Sequence, residues 1–239
     1  MNIQRAAVVW VGLAMVGLAM APAVGAIDGK NDAGLTAAEK AEGWRWLFDG
    51  KSLDGWRGYK DEAPGRAWRV EGGALTLQGK GGDLVTEEAF GDFELSFEWK
   101  VAEAANSGVI YRVGLGETAT HVTGPEYQVL DNIKAHDNKE YDHLAGSLYD
   151  VALGDNARTK PVGEWNEGRI VVRGWRVQHW LNGKKVVDLD LAAPEGKAAI
   201  AASKFKDWEK FATVRRGHIA LQDHGDVVSF RAIKVRKLE

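Results

Sequence analysis

Cysteine is absent from all 239 residues. Its absence excludes a disulfide framework, thiol catalysis and lipid attachment through an N-terminal cysteine, and leaves the core alone to hold the fold. No run of Lys or Arg occurs, and a formal net charge of −3 leaves no basic footprint for nucleic acid or an anionic membrane surface. The Gly-x-Ser-x-Gly elbow, the P-loop and the dinucleotide fingerprint are all missing. So are His-x-x-x-His, His-Glu-x-x-His and an Asp-rich calcium loop. No strand carries closely alternating acidic residues of the kind that a two-carboxylate glycosidase uses. Neither a fixed-period repeat nor a low-complexity tract is found.

What is present begins with an export signal. Arg5 supplies the positive start, Ala6 to Met20 an apolar run, and Ala21 to Ala26 a small-residue cleavage site, so residues 1–26 read as a signal peptide. The apolar run falls short of the roughly 20 residues that a spanning helix needs. The expectation is a protein secreted to the periplasm or exterior of a bacterium, with no membrane association after cleavage. Residues 27–43 read as a linker with a short helix capped near Thr36, and 44–239 as one domain.

Within that domain, short strands recur with turn signals between them. Phe93, Leu95, Phe97, Trp99 and Val101 alternate with Glu94, Ser96, Glu98 and Lys100, which predicts one buried and one wet face. Asn106–Val113 and Gly124–Leu130 continue the pattern, with Tyr127 and Val129 inward. Trp165 to Leu191 reads as a long hairpin with reversals at Gly174-Trp175 and Asn182-Gly183. Ala198 to Phe211 reads as a short helix, and Gly217 to Leu238 as a hairpin turning at Asp223-His224-Gly225-Asp226. Trp44, Trp46 and Trp56 read as core in preference to sugar-stacking platforms. The whole predicts an all-β, two-sheet antiparallel sandwich of jelly-roll type.

If the strands at 93–101, 106–113, 124–130 and 217–222 share a sheet, then Glu98, Arg112, Glu126, Gln128 and Gln222 share its outer face. Such a set can hydrogen-bond sugar hydroxyls, or equally form cross-strand ion pairs in solvent. Histidine is the natural proton handler in a chain without cysteine. His136 and His143 lie in the charged loop 131–143 and His224 at a turn, whereas His179 and His218 sit in strands, where histidine is more often structural. Asp131 and His136, with Asp137, Asp142 and His143, offer donors for a divalent metal, although their spacing matches no metal motif and fixes no cofactor.

Eight segments, in order, carry a resemblance: Leu47–Trp56, Phe93–Lys100, Asn106–Arg112, Gly124–Asp131, Gly146–Asp150, Glu164–Asn166, His179–Gly183 and Gly217–Gly225. Together they resemble the 3-keto-disaccharide hydrolase domain family, whose fold is the concanavalin A-like sandwich. The resemblance implies an enzyme that cleaves glycosides oxidised to a ketone at sugar C3, by removal of the C2 proton and β-elimination followed by hydration. It implies Glu126, His136 and His224 for proton transfer; Arg112, Gln128, Tyr149 and Gln222, with Glu98 on the same face, for binding sugar oxygens; and Asp131 to orient a histidine or metal. Family members often show His-Pro-Asp where this chain has His136-Asp137. A non-catalytic carbohydrate-binding module would use the same polar face without a base.

Overall fold

The computed structural model describes residues 34–60, 63–154 and 157–238. The expected signal peptide lies outside the described residues, as do the first residues of the 27–43 stretch. The rest of that stretch carries α1 (Ala37–Ala41), where Thr36 and Glu39 form a reciprocal capping box. Glu39 and Glu42 pair with Lys234 and Arg236, so the short helix is tied to the sheet beneath it.

Thirteen strands follow among the described residues: β1 (Arg45–Trp46), β2 (Trp56–Gly58), β3 (Trp68–Glu71), β4 (Ala74–Leu77), β5 (Leu84–Thr86), β6 (Phe93–Val101), β7 (Asn106–Val113), β8 (Glu126–Leu130), β9 (Asn166–Arg173), β10 (Arg176–Leu181), β11 (Lys184–Asp190), β12 (His218–Leu221) and β13 (Val228–Lys237). They form two antiparallel sheets. The larger runs β11-β10-β9-β6-β13-β4-β3 with β1 added along β13, and the smaller runs β2-β5-β12-β7-β8. The predicted sandwich is the architecture observed. Phe93, Leu95, Phe97 and Trp99 of β6 interleave with Tyr111 and Tyr127 of the smaller sheet in a single core. Edge-to-face contacts such as Phe97 with Tyr127, centroids 5.2 Å apart, hold the layers in register. The hairpin from β9 to β11 follows its turn chemistry, with Asn182 and Gly183 both at positive φ.

Three expectations are corrected. The 217–238 segment is an arch and not a hairpin: β12 lies in the smaller sheet and β13 in the larger. The same holds for β6 and β7, so Glu98 belongs to the larger sheet, away from Glu126 and Gln128. The helix near 198–211 is α2 (Pro194–Ala202), starting at a proline that suits a first helical turn. It ends where Ser203 Oγ turns back on Ile200 O at 2.8 Å and accepts from Phe205 N at 3.0 Å. Residues beyond it are turns gathered around Phe205 stacked on Phe211.

Candidate functional site

The outer face of the smaller sheet divides into two parts. Val85, Ile110, Val113, Ala220 and Tyr59 form a small apolar cluster. Beside it, Asn106, Glu126, Gln128 and Gln222 line a cavity of about 100 Å³. The loop between β8 and β9 roofs this cavity with Asp137 and Tyr149, and the segment after α2 roofs it with Lys204 and Phe205; His121 and His224 complete the wall. Glycine makes the floor. A Cβ at Gly108 would lie 2.1 Å from Glu126 Oε1, so the absence of a side chain there is what gives the carboxyl its place.

Glu126 is buried, and burial, only partly offset by the Lys204 ammonium, pushes its pKa up to about 8. Its recorded hydrogen-bond neighbour is Gln222, whose Nε2 stands 3.4 Å from Oε2. His121 moves the other way: burial first, then the nearby Lys204 ammonium, hold its pKa below the ordinary histidine value. One cavity thus keeps a carboxyl protonated and an imidazole neutral near neutral pH, the arrangement by which a site separates an acid from a base.

The roof hangs on His143. Its Nδ1 donates to Asp137 Oδ1 at 3.0 Å and its Nε2 to Asp150 Oδ1 at 2.9 Å. Burial opposes the charged imidazole, yet the Asp150 and Asp137 carboxylates raise its pKa above the ordinary value. Each carboxylate in turn fixes a wall. Asp137 Oδ2 accepts the Tyr149 hydroxyl at 2.8 Å, and Asp150 Oδ2 accepts Lys204 N at 2.6 Å. Lys204 Nζ then lies 4.1 Å over the Tyr149 ring.

The turn between β12 and β13 is built by its two aspartates. Asp223 accepts from Gly81 N and Gly82 N, each at 2.6 Å, and Asp226 accepts Asn106 N at 3.0 Å. His224 is left exposed at the cavity mouth.

Of the residues singled out from sequence, Glu126, Gln128, Tyr149, Gln222 and His224 meet around this cavity. Four others do not. Glu98 accepts from Arg231 Nε at 2.6 Å on the opposite sheet. Arg112 sits at φ 53 where the β7–β12 register shifts, so its side chain leaves the alternation. It is buried, donating to Gly174 O at 2.6 Å and Asp92 Oδ1 at 2.9 Å. His136 is exposed and its neighbour Asp137 takes the wall position. Asp131 orients no histidine; its carboxylate accepts from Ala104 N at 2.8 Å and Ile133 N at 3.0 Å, closing the loop's first turn.

The expected metal donors Asp131 and His136 therefore do not converge. Among the described residues Asp142, His143 and Asp150 do cluster, but both His143 ring nitrogens are spent on carboxylates. His179 is core: wholly buried, its pKa lowered to about 4 by burial, and hydrogen-bonded to Tyr111 Oη at 3.1 Å. Trp56 is core, while Trp44 lies under Lys234 and Arg236 on the larger sheet.

His121, Asn106, Lys204 and Phe205 are the lining residues that sequence reasoning missed. Asn106 opened a recognised segment, and so could have been found, whereas nothing in the pattern around His121 or Lys204 marks them. Size alone would select other hollows. One of about 360 Å³ lies on the larger sheet beside Glu98, Arg169 and Lys234, all paired in ion bridges. Another, of about 470 Å³, is lined by Ile133, Pro161 and Val162 around the already saturated Asp131.

Comparison with known proteins places the chain in a family. The 3-keto-disaccharide hydrolase of Bacteroides thetaiotaomicron is 34% identical over 235 residues, covering 83% of this chain and 80% of its own. A crystal structure from Parabacteroides distasonis, of a protein described provisionally as a glycosyl hydrolase, superposes with a TM-score of 0.81 at 30% identity, covering 88% of this chain and 100% of that one. A second from the same organism, described in the same way, gives 0.66 at 28% identity over 82% and 99%. Residues 43–236 match the family described as the 3-keto-alpha-glucoside-1,2-lyase-like domain, and the chain belongs to that family.

Proposed function

We propose that the protein cleaves the glycosidic bond of 3-keto-glycosides in the Glu126 cavity by elimination followed by hydration. The observation that carries this reading is the buried Glu126 carboxyl, its pKa pushed up to about 8, beside an imidazole held neutral. A ketone at C3 acidifies the C2 proton, so no pair of glycosidase carboxylates is needed. Neutral His121 takes the C2 proton, and the electron pair forms the C1–C2 double bond as the C1–O bond breaks. Protonated Glu126 gives its proton to the departing oxygen. Lys204, whose Nζ faces the Tyr149 ring at the cavity wall, stabilises charge that develops on the C3 oxygen. Water then adds at C1 and a proton returns to C2, giving the free 3-keto sugar.

Both the family and the named relatives point to carbohydrate as the partner. The N-terminal pattern supports export, and no helix among the described residues is long and apolar enough to cross a membrane. The test is incubation with a methyl 3-keto-glucoside and with its unoxidised parent, following release of methanol. Release from the keto form alone is expected. Binding of both without release would overturn the reading in favour of a carbohydrate-binding module.

A further inference from the structure

Two buried acceptors in the cavity have no hydrogen-bond partner: Asn106 Oδ1 and Gln222 Oε1. A buried acceptor left unpaired is destabilising, and such groups in a folded protein call for an explanation. The backbone of each residue is anchored. Asn106 is fixed through its backbone N–H on Asp226 and its pairing with Leu130 across β7 and β8. Gln222 donates its backbone N–H to Gly108 O at 2.9 Å and accepts Ser107 Oγ on its own carbonyl at 2.8 Å. Its amide nitrogen faces Glu126, and its amide oxygen is buried without a partner. Both residues thus line the Glu126 cavity from anchored backbone of the smaller sheet.

We propose that Asn106 and Gln222 are specificity-determining residues that accept hydrogen bonds from two hydroxyls of the sugar ring being cleaved, so that rings lacking either hydroxyl are rejected. This rests on the reading of the ligand as a keto-sugar. A hydroxyl fits the position because it donates to the amide oxygen while its own oxygen accepts from a donor such as Lys204. A site with buried acceptors also discriminates strongly against an analogue that leaves them unpaired.

The test uses methyl glucoside and its 2-, 4- and 6-deoxy forms, each as the 3-keto compound for turnover and unoxidised for binding by tryptophan fluorescence. Wild type, Asn106→Ala, Asn106→Asp and Gln222→Ala are compared after thermal melts establish folding. Two of the deoxy forms are expected to bind roughly 10- to 100-fold more weakly to wild type. Asn106→Ala should lose a similar factor for the parent and nothing further for one of those two forms, while Asn106→Asp, which keeps the acceptor, retains the discrimination. Equal binding of all deoxy forms by wild type, or losses that multiply in the alanine variants, would overturn the inference even where the keto substrate is turned over. Deoxy discrimination without turnover of any keto compound would sustain it while removing the elimination chemistry.

Discussion

Glu98 and Glu126 both point outward from a strand, yet they live in different solvents. Glu98 lies on the open face of the larger sheet, where Arg231 bridges to it and Trp165 lies under the same guanidinium at 4.1 Å. That face is a set of satisfied pairs in contact with water, each worth little. Glu126 lies on the smaller sheet under a roof, where burial outweighs the nearby Lys204 ammonium and its proton is held to about pH 8. The roof, more than the residue type, makes the difference. A carboxylate on a β-sheet becomes an acid only when loops take it out of water and leave its partners incomplete.

Exchanging each carboxylate for its amide separates the two faces most sharply. Glu126→Gln should lower kcat by on the order of 10²- to 10⁴-fold, while Glu98→Gln should leave it within about twofold and change stability by under about 1 kcal/mol. Stability should move oppositely at the site. Because the folded pKa of Glu126 is raised, its ionisation opposes folding: stability is greatest below about pH 4.5 and is lost as pH rises toward about 8. At pH 7 the amide should therefore be more stable than the wild type, by up to roughly 3 kcal/mol, as a denaturant titration will show.

Gly108→Ala attacks the floor of the cavity. The new Cβ displaces the Glu126 carboxyl, and a shift of about 1 Å is expected to cost on the order of 10²-fold in kcat, with a smaller loss of about 1–3 kcal/mol in stability. Opening the roof should do less. His143→Ala leaves Asp137 and Asp150 without their shared donor, and KM should rise several-fold with kcat reduced less, together with a loss of about 1–3 kcal/mol.

The pH profile of kcat/KM should be a bell. Its acidic limb lies below the ordinary histidine value, as His121 loses its proton, and its alkaline limb lies near 8, as Glu126 loses its own. A profile that only rises through pH 8 would make ionised Glu126 the base and remove it as the acid.

Much of the strand pattern was legible because alternation reports burial directly: Phe93, Leu95, Phe97, Trp99, Val101, Tyr127 and Val129 are buried as the sequence implies, although Glu94, expected on the wet face, is buried beneath Arg169 and Arg236. Asn182-Gly183 marks its hairpin for an equally local reason. The partition into sheets was not legible. A short link such as 102–105 or 222–227 has the same composition whether it closes a hairpin or arches from one layer to the other, and pairing partners are distant in the chain. That ambiguity placed Glu98 on the wrong face.

Arg112 was misread because a bulge breaks the two-residue period without leaving a compositional trace. Glu126, Gln128 and Gln222 could be identified as outward polar residues of strands in one sheet. His121 and Lys204 reach the cavity only through tertiary packing, His121 by its position against Trp208 and Lys204 through the backbone hydrogen bond to Asp150.

The central claim is that the C2 proton leaves during cleavage. The most direct measurement is to run the reaction on a 3-keto-glucoside in deuterium oxide and read C2 of the early product by mass spectrometry and NMR, beside uncleaved substrate kept with Glu126→Gln protein. Elimination and hydration predict one deuterium at C2 of each product molecule and slower incorporation into the control. Product that keeps its original hydrogen at C2 would show direct displacement at C1 and contradict the account.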